Sequence, residues 1–174
     1  MDVNAIIKAI DSLNEVVGRI VCVLAIVFAA IIIYDVVLRY AFNAPTRWAF
    51  DLSKQIYGFY FVMLGGYALR HQSHVRVDLL TERLGDGGRR AVEILGYLLF
   101  FLPFSWVFVA QTFAFAQTSW NQGETTYGSV QLPVYPLKAA LFVAAVLLAL
   151  QGISEVLKLL AGRDLYWRET RHGA

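Results

Sequence analysis

Charge is scarce in this chain. Of 174 residues only 16% are Asp, Glu, Lys or Arg, whereas soluble domains carry about 25%. A fold so poor in charge cannot cover itself with polar surface, which argues for a membrane class. Cysteine is nearly absent. Cys22 stands alone inside an apolar run, which excludes an intrachain disulfide and a cysteine metal centre, and reads as a packed or lipid-facing residue. The net charge is only +2, and the basic residues flank apolar runs instead of gathering in a patch, so no nucleic-acid partner is expected. Gly-rich phosphate loops, serine elbows, metal-spaced clusters, internal repeats and low-complexity runs are missing too. No catalytic activity, cofactor or metal is therefore expected.

Apolar residues, by contrast, make up 58% of the chain. They fall into four runs of about twenty residues, the length that crosses a hydrocarbon core of about 30 Å. The expected fold is an all-α membrane protein, one membrane domain over 1–174, with transmembrane helices at about 20–38, 48–69, 94–116 and 137–157. Two further segments, 2–18 and 76–84, read as short amphipathic interfacial helices. In the first, Ile6, Ile10, Leu13 and Val17 share one face while Lys8, Asp11 and Glu15 share the other. In the second, Val77, Leu80 and Leu84 share a face. Such helices can lie on a membrane surface. Segment 2–18 reads as retained, since its charges are mixed and no small-residue cleavage site follows the apolar run.

The polar residues that remain sit at the ends of the runs. Asp35 and Arg39 are four apart with the acid first, the favoured order for a helical ion pair. Together with Asp51, early in the second run, they are expected to form a cluster tying the first two helices together. Asn43-Ala44-Pro45-Thr46 breaks the chain between them, with Thr46 placed to cap the second helix. A proton or ion relay is the weaker reading for charges at helix ends. Gly65 and Gly66 permit close helix approach, as do the small rows Ala140, Ala144, Ala145 and Ala149. Pro103 is expected to kink the third helix and Gln111 to bond to a neighbour. His71 and His74 invite a haem or metal reading. They lie on one segment between Arg70 and Arg76, however, whereas haem bundles use histidines from facing helices, so a solvated role is expected.

Charge distribution predicts orientation. Eleven Lys and Arg residues flank the termini and the 70–93 loop, against four on the other side. By the positive-inside rule both termini are cytoplasmic and the chain belongs in a bacterial cytoplasmic (inner) membrane. On the outer side Trp48, Trp120, Glu124 and Tyr127 are then candidates to touch a soluble partner.

The central stretch also carries an ordered set of short motifs: Arg39-Tyr40-x-Phe42-Asn43, Pro45-x-x-Trp48-x-x-Asp51, Gly65-Gly66-Tyr67-Ala68-Leu69-Arg70 and His74-Val75-Arg76-Val77-Asp78. In order and placement these resemble the small membrane subunit of tripartite ATP-independent periplasmic (TRAP) transporters, the DctQ-like family. The resemblance departs at Asp51, where the family usually has Glu, and at Ser73, often glycine there. It implies an accessory scaffold subunit working with a larger membrane subunit and a periplasmic substrate-binding protein in sodium-coupled import of an organic acid. Gly123-Glu124, Pro136-Leu137-Lys138 and Leu150-Gln151-Gly152 resemble the branch associated with 2-oxo acids and related carboxylates. The alternative is a helical membrane anchor of a redox enzyme, which would need haem-positioned histidines inside the bundle.

Overall fold

A computed structural model describes residues 3–71, 86–127 and 130–161. Six α-helices run along these residues: α1 (Val3–Ala41), α2 (Ala49–Met63), α3 (Gly65–Arg70), α4 (Asp86–Gly96), α5 (Leu102–Gln122) and α6 (Tyr135–Leu160), with a π turn over Tyr97–Phe101 between α4 and α5. Pairing of extended chain among the described residues is confined to one isolated bridge, Thr125 to Pro133.

Three helical stretches are long and apolar enough to cross a membrane: α1, the run Arg90–Gln122 and α6. The run expected at 48–69 is instead divided into α2, of 15 residues, and α3, of 6. Neither piece alone matches the roughly 20 residues a crossing needs. The junction at Leu64 is mild, with φ −74° and ψ −11°. Its N–H reaches the Tyr60 carbonyl and its own carbonyl accepts from Ala68 at 2.8 Å. Gly65 and Gly66 follow directly, and each lowers helix propensity by about 1 kcal/mol relative to alanine. The interruption falls where the helix is intrinsically weakest.

Segment 2–18 is not a separate surface helix. α1 runs unbroken for 39 residues, about 58 Å at 1.5 Å per residue. Its orientation also departs from expectation. Asn14 and Ile7 are buried, whereas Leu13 and Val16 are about half exposed. Asp11, Asn14 and Glu15 of this segment meet other helices, while Lys8 remains exposed. The expected helix over 76–84 lies outside the described residues, together with His74, Arg76 and Asp78.

α6 is the central element and packs against α1, α2, α3 and α5. Half of its apolar window is buried, against 6% for α1 and for Arg90–Gln122. Between helices in lipid, apolar side chains gain little from one another, so close backbone packing and hydrogen bonds must hold the bundle. Accordingly α6 buries Ala140, Ala144 and Ala145, and α5 buries Ser105, Thr112, Ala116 and Ser119. Gln111 is exposed and makes no hydrogen bond among the described residues. Its neighbour Thr112 turns inward and donates to the Phe108 carbonyl at 2.7 Å. Pro103 stands at the start of α5, just after the π turn, in which the Leu102 N–H reaches back to the Tyr97 carbonyl. Proline lacks an N–H and crowds the carbonyl four residues earlier. The wider π turn accommodates both defects.

Candidate functional site at the two polar ends of the bundle

At one end of the bundle the start of α1, the end of α3 and the end of α6 come together in a buried polar knot. Gln151 is fully buried and lies at its centre. It accepts from Asn14 Nδ2 at 2.9 Å and donates through Nε2 to Asp11 Oδ1 at 2.9 Å and to Glu155 Oε1 at 3.0 Å. Ser154, also fully buried, donates to the same Asp11 oxygen at 3.0 Å. Lys158 closes the ring, 2.8 Å from Asp11 and 2.7 Å from Glu155. Two carboxylates therefore share one ammonium and one amide. Such a network is stable only when every member is satisfied, and here every member is.

Arg70 extends the knot to α3. Its guanidinium donates to the Asp11 carbonyl at 2.7 Å and to Glu15 at 2.6 Å. His71 Nε2 lies 2.8 Å from the same Glu15 oxygen, and its ring lies 4.3 Å from that of Tyr67. Arg19 reaches the other oxygen at 2.7 Å. Gly66 permits this approach: a Cβ there would fall 2.1 Å from Asn14 Oδ1 and 3.4 Å from the Leu147 carbonyl. Gly65 is under no such constraint, with Leu148 at 4.0 Å its nearest neighbour. Sequence reasoning placed Asp11 and Glu15 on the polar face of a surface helix, cited Gln151 only within a branch motif and Lys158 only as a topology charge, and passed over Asn14, Ser154 and Glu155. The signal was present as polar residues at 151, 154, 155 and 158, one stripe near the end of a helix that is apolar from Ala139 to Leu150.

The other end of the bundle is built from contacts between residues close in sequence. α1 stops at Ala41, with Asn43 in the left-handed region at φ 52° and the Ala44 N–H returned to the Leu38 carbonyl at 3.0 Å. This reversal folds the chain back over the helix end. Thr46 consequently does not cap α2, whose start at Trp48 has no side-chain cap. Its backbone N–H donates to Asp35 at 2.9 Å and its hydroxyl donates to the same oxygen. Arg39 holds the second carboxylate oxygen at 2.8 Å. The expected triad of Asp35, Arg39 and Asp51 is thus corrected to Asp35, Arg39 and Thr46. Asp51 points elsewhere because the first turn of α2 presents it to the α5–α6 connection.

There Asp51 lines a cleft of about 540 Å³ with Lys54, Gln55, Glu124 and Tyr127. Gly123, left-handed at φ 59°, ends α5. The chain then doubles back, with Thr126 N–H bonded to the Leu132 carbonyl at 2.8 Å and Val134 N–H to the Glu124 carbonyl at 2.9 Å. Glu124 pairs with Lys138, whose ammonium also lies 3.8 Å over the Phe115 ring. Lys138 beside it holds the Glu124 carboxyl below the usual range. Trp120 is largely exposed and meets Tyr135 edge-on at 4.9 Å. Trp48 stands 6.3 Å from Tyr34, and Tyr127 is fully exposed. Among the described residues no three His, Cys, Asp or Glu side chains converge as metal ligands would.

No curated protein matches this chain. Residues 28–162 match the family described as tripartite ATP-independent periplasmic transporters, DctQ component. Components of that family reside in the inner membrane and work with a larger membrane component and a substrate-binding protein. The match takes in the last third of α1 and everything from there to the end of α6. It includes the Asp35 and Glu124 end and the α3 and α6 members of the knot, while Asp11, Asn14 and Glu15 lie before it. The chain belongs to the DctQ component family of TRAP transporters, and is accordingly a transporter subunit, not an enzyme.

Proposed function

We propose that this chain is the stationary accessory subunit of a sodium-driven TRAP importer of an organic acid, a 2-oxo acid or related carboxylate. It crosses the bacterial inner membrane four times, with α2 and α3 acting together as one crossing. Both termini and the 70–93 loop lie in the cytoplasm, which places the polar knot inside and the Glu124 cleft outside. The observation that carries the accessory role is the lack of a polar path among the described residues. Charged side chains gather at the two ends of the bundle, while Ile20, Val23, Ile26 and Ile33 in the middle of α1 point outward, each more than half exposed. A transport route through a membrane ordinarily needs broken helices and polar groups at mid-depth. The outward apolar faces suit a larger membrane component, and exposed Trp120 and Tyr127 suit the substrate-binding protein.

Reconstitution tests this reading. The chain alone, the larger component alone and both together are placed in vesicles with binding protein and a sodium gradient. Uptake is expected only when both are present. Uptake by this chain alone would refute the accessory role, and full uptake without it would show it to be dispensable.

A further inference from the structure

A groove of about 670 Å³ runs between α1 and α2 at the end that carries Asp35. Its walls are apolar: Ile32 and Val36 from α1, Phe50 and Tyr57 from α2. One end is different. Arg39 and Lys54 stand on its rim with Asp35, and Arg39 and Asp35 neutralise one another. Lys54 is exposed and makes no ion pair among the described residues. Its ammonium folds back toward the start of α2 and lies 4.0 Å over the Phe50 ring, as a lysine stem does when its head seeks the polar side of an interface. The rim therefore carries a net positive charge above an apolar trough.

The floor supplies a second, independent observation. Ser53 is buried at 6% exposure and lines the groove, yet its hydroxyl has no hydrogen-bond partner. A serine inside a helix commonly bonds to the carbonyl one turn back, and a buried hydroxyl without any bond costs about 1–3 kcal/mol. An occupant with an acceptor oxygen at this depth would satisfy it.

We propose that the groove is a binding site for one anionic phospholipid of the bilayer. An acyl chain lies along Ile32, Val36 and Tyr57, an ester oxygen accepts from Ser53, and the phosphate rests on Lys54 and Arg39. The asymmetry selects this occupant: a partner helix would need matching polarity along its length, whereas a phospholipid is apolar for its length and anionic at one end. The site lies within the volume range of ligand clefts, about 300–1,000 Å³. It does not depend on the orientation or partners proposed above.

The test uses the full chain purified in mild detergent and exposed to phosphatidylglycerol or phosphatidylcholine, with retained lipid read by native mass spectrometry. One phosphatidylglycerol per chain is expected, with little phosphatidylcholine. Lys54→Glu should lower phosphatidylglycerol retention on the order of tenfold, while Lys8→Glu, near the other end of α1, should leave it unchanged. Lys54 is exposed, and an unaltered melting temperature would confirm that the variant folds. Ser53→Phe should empty the site of either lipid. Equal retention of the two lipids, equal loss in both charge variants, or an unaffected Lys54→Glu protein would overturn the proposal. So would a photo-crosslinker at Ile32 that, in the assembled transporter, labels the larger component and not lipid.

Discussion

The two polar ends of this bundle differ in how far apart in sequence their partners stand. At the knot, Asp11 is joined to Gln151, Ser154 and Lys158 and, through its carbonyl, to Arg70. At the opposite end the pairs are Asp35 with Arg39 and Thr46, and Glu124 with Lys138. The first set is centred on the fully buried Gln151 and Ser154 and ties α1, α3 and α6 into one body. The second lacks a fully buried centre and joins residues at most 14 apart in sequence. One end is a lock on the fold; the other is open to ligands and partners.

Substitutions can break that contrast. The largest effect is expected at Gln151→Leu, which strips Asn14, Asp11 and Glu155 of a partner at once. A loss of about 3 kcal/mol is expected, measured by reversible unfolding in mixed micelles. Gly66→Ala comes next, because the added methyl collides with Asn14, at about 1–3 kcal/mol. Gly65→Ala next door should instead stabilise the helix by up to about 1 kcal/mol, and a destabilised Gly65→Ala protein would contradict the assigned packing. At the open end, Asp35→Ala should lower the melting temperature more than Arg39→Ala. Asp35 holds both Arg39 and the returning Thr46, whereas Arg39 is half exposed. The smallest effect belongs to Glu124→Gln. Since Lys138 depresses the Glu124 pKa, this pair stabilises above the ordinary value of 4.5 and fades as pH falls through the lowered folded value. The melting difference between wild type and variant should be constant from neutral pH downward and vanish only in acid. A difference that grows in acid would reverse the assignment.

The same contrast explains what could be read before the structure. Asp35 and Arg39 are four residues apart on one helix, and local geometry alone pairs them. Whether Asp51 joins them depends on which face α2 turns toward α1, and helical periodicity does not encode that. Asp11 and Glu15 were legible as part of a polar face, but their partner was misread as water, and Asn14 between them was missed. Periodicity reports that a face is polar and leaves open whether solvent or another polar face will meet it. The all-helical class and three of the four expected spans were legible from length and composition. The division of the second at Leu64 follows from its glycines, yet it depends on packing against Asn14 and Leu147 that only the tertiary structure supplies.

The π turn ahead of Pro103 has a consequence for phase. It holds one residue more than an α-helical turn, so α4 and α5 are rotated by about 100° relative to one unbroken wheel. A projection drawn straight through Arg90–Gln122 would therefore assign its two halves to the wrong sectors. The turn also delivers Phe101 against α6, where a methyl group on Gly152 would fall 1.9 Å from the ring. Deleting one residue between Tyr97 and Phe101 would restore a single phase along the whole run. The Ser105–Ser119 seam against α6 would keep its alignment, while Phe101 would lose its seat and α4 would swing to a different bearing around the bundle.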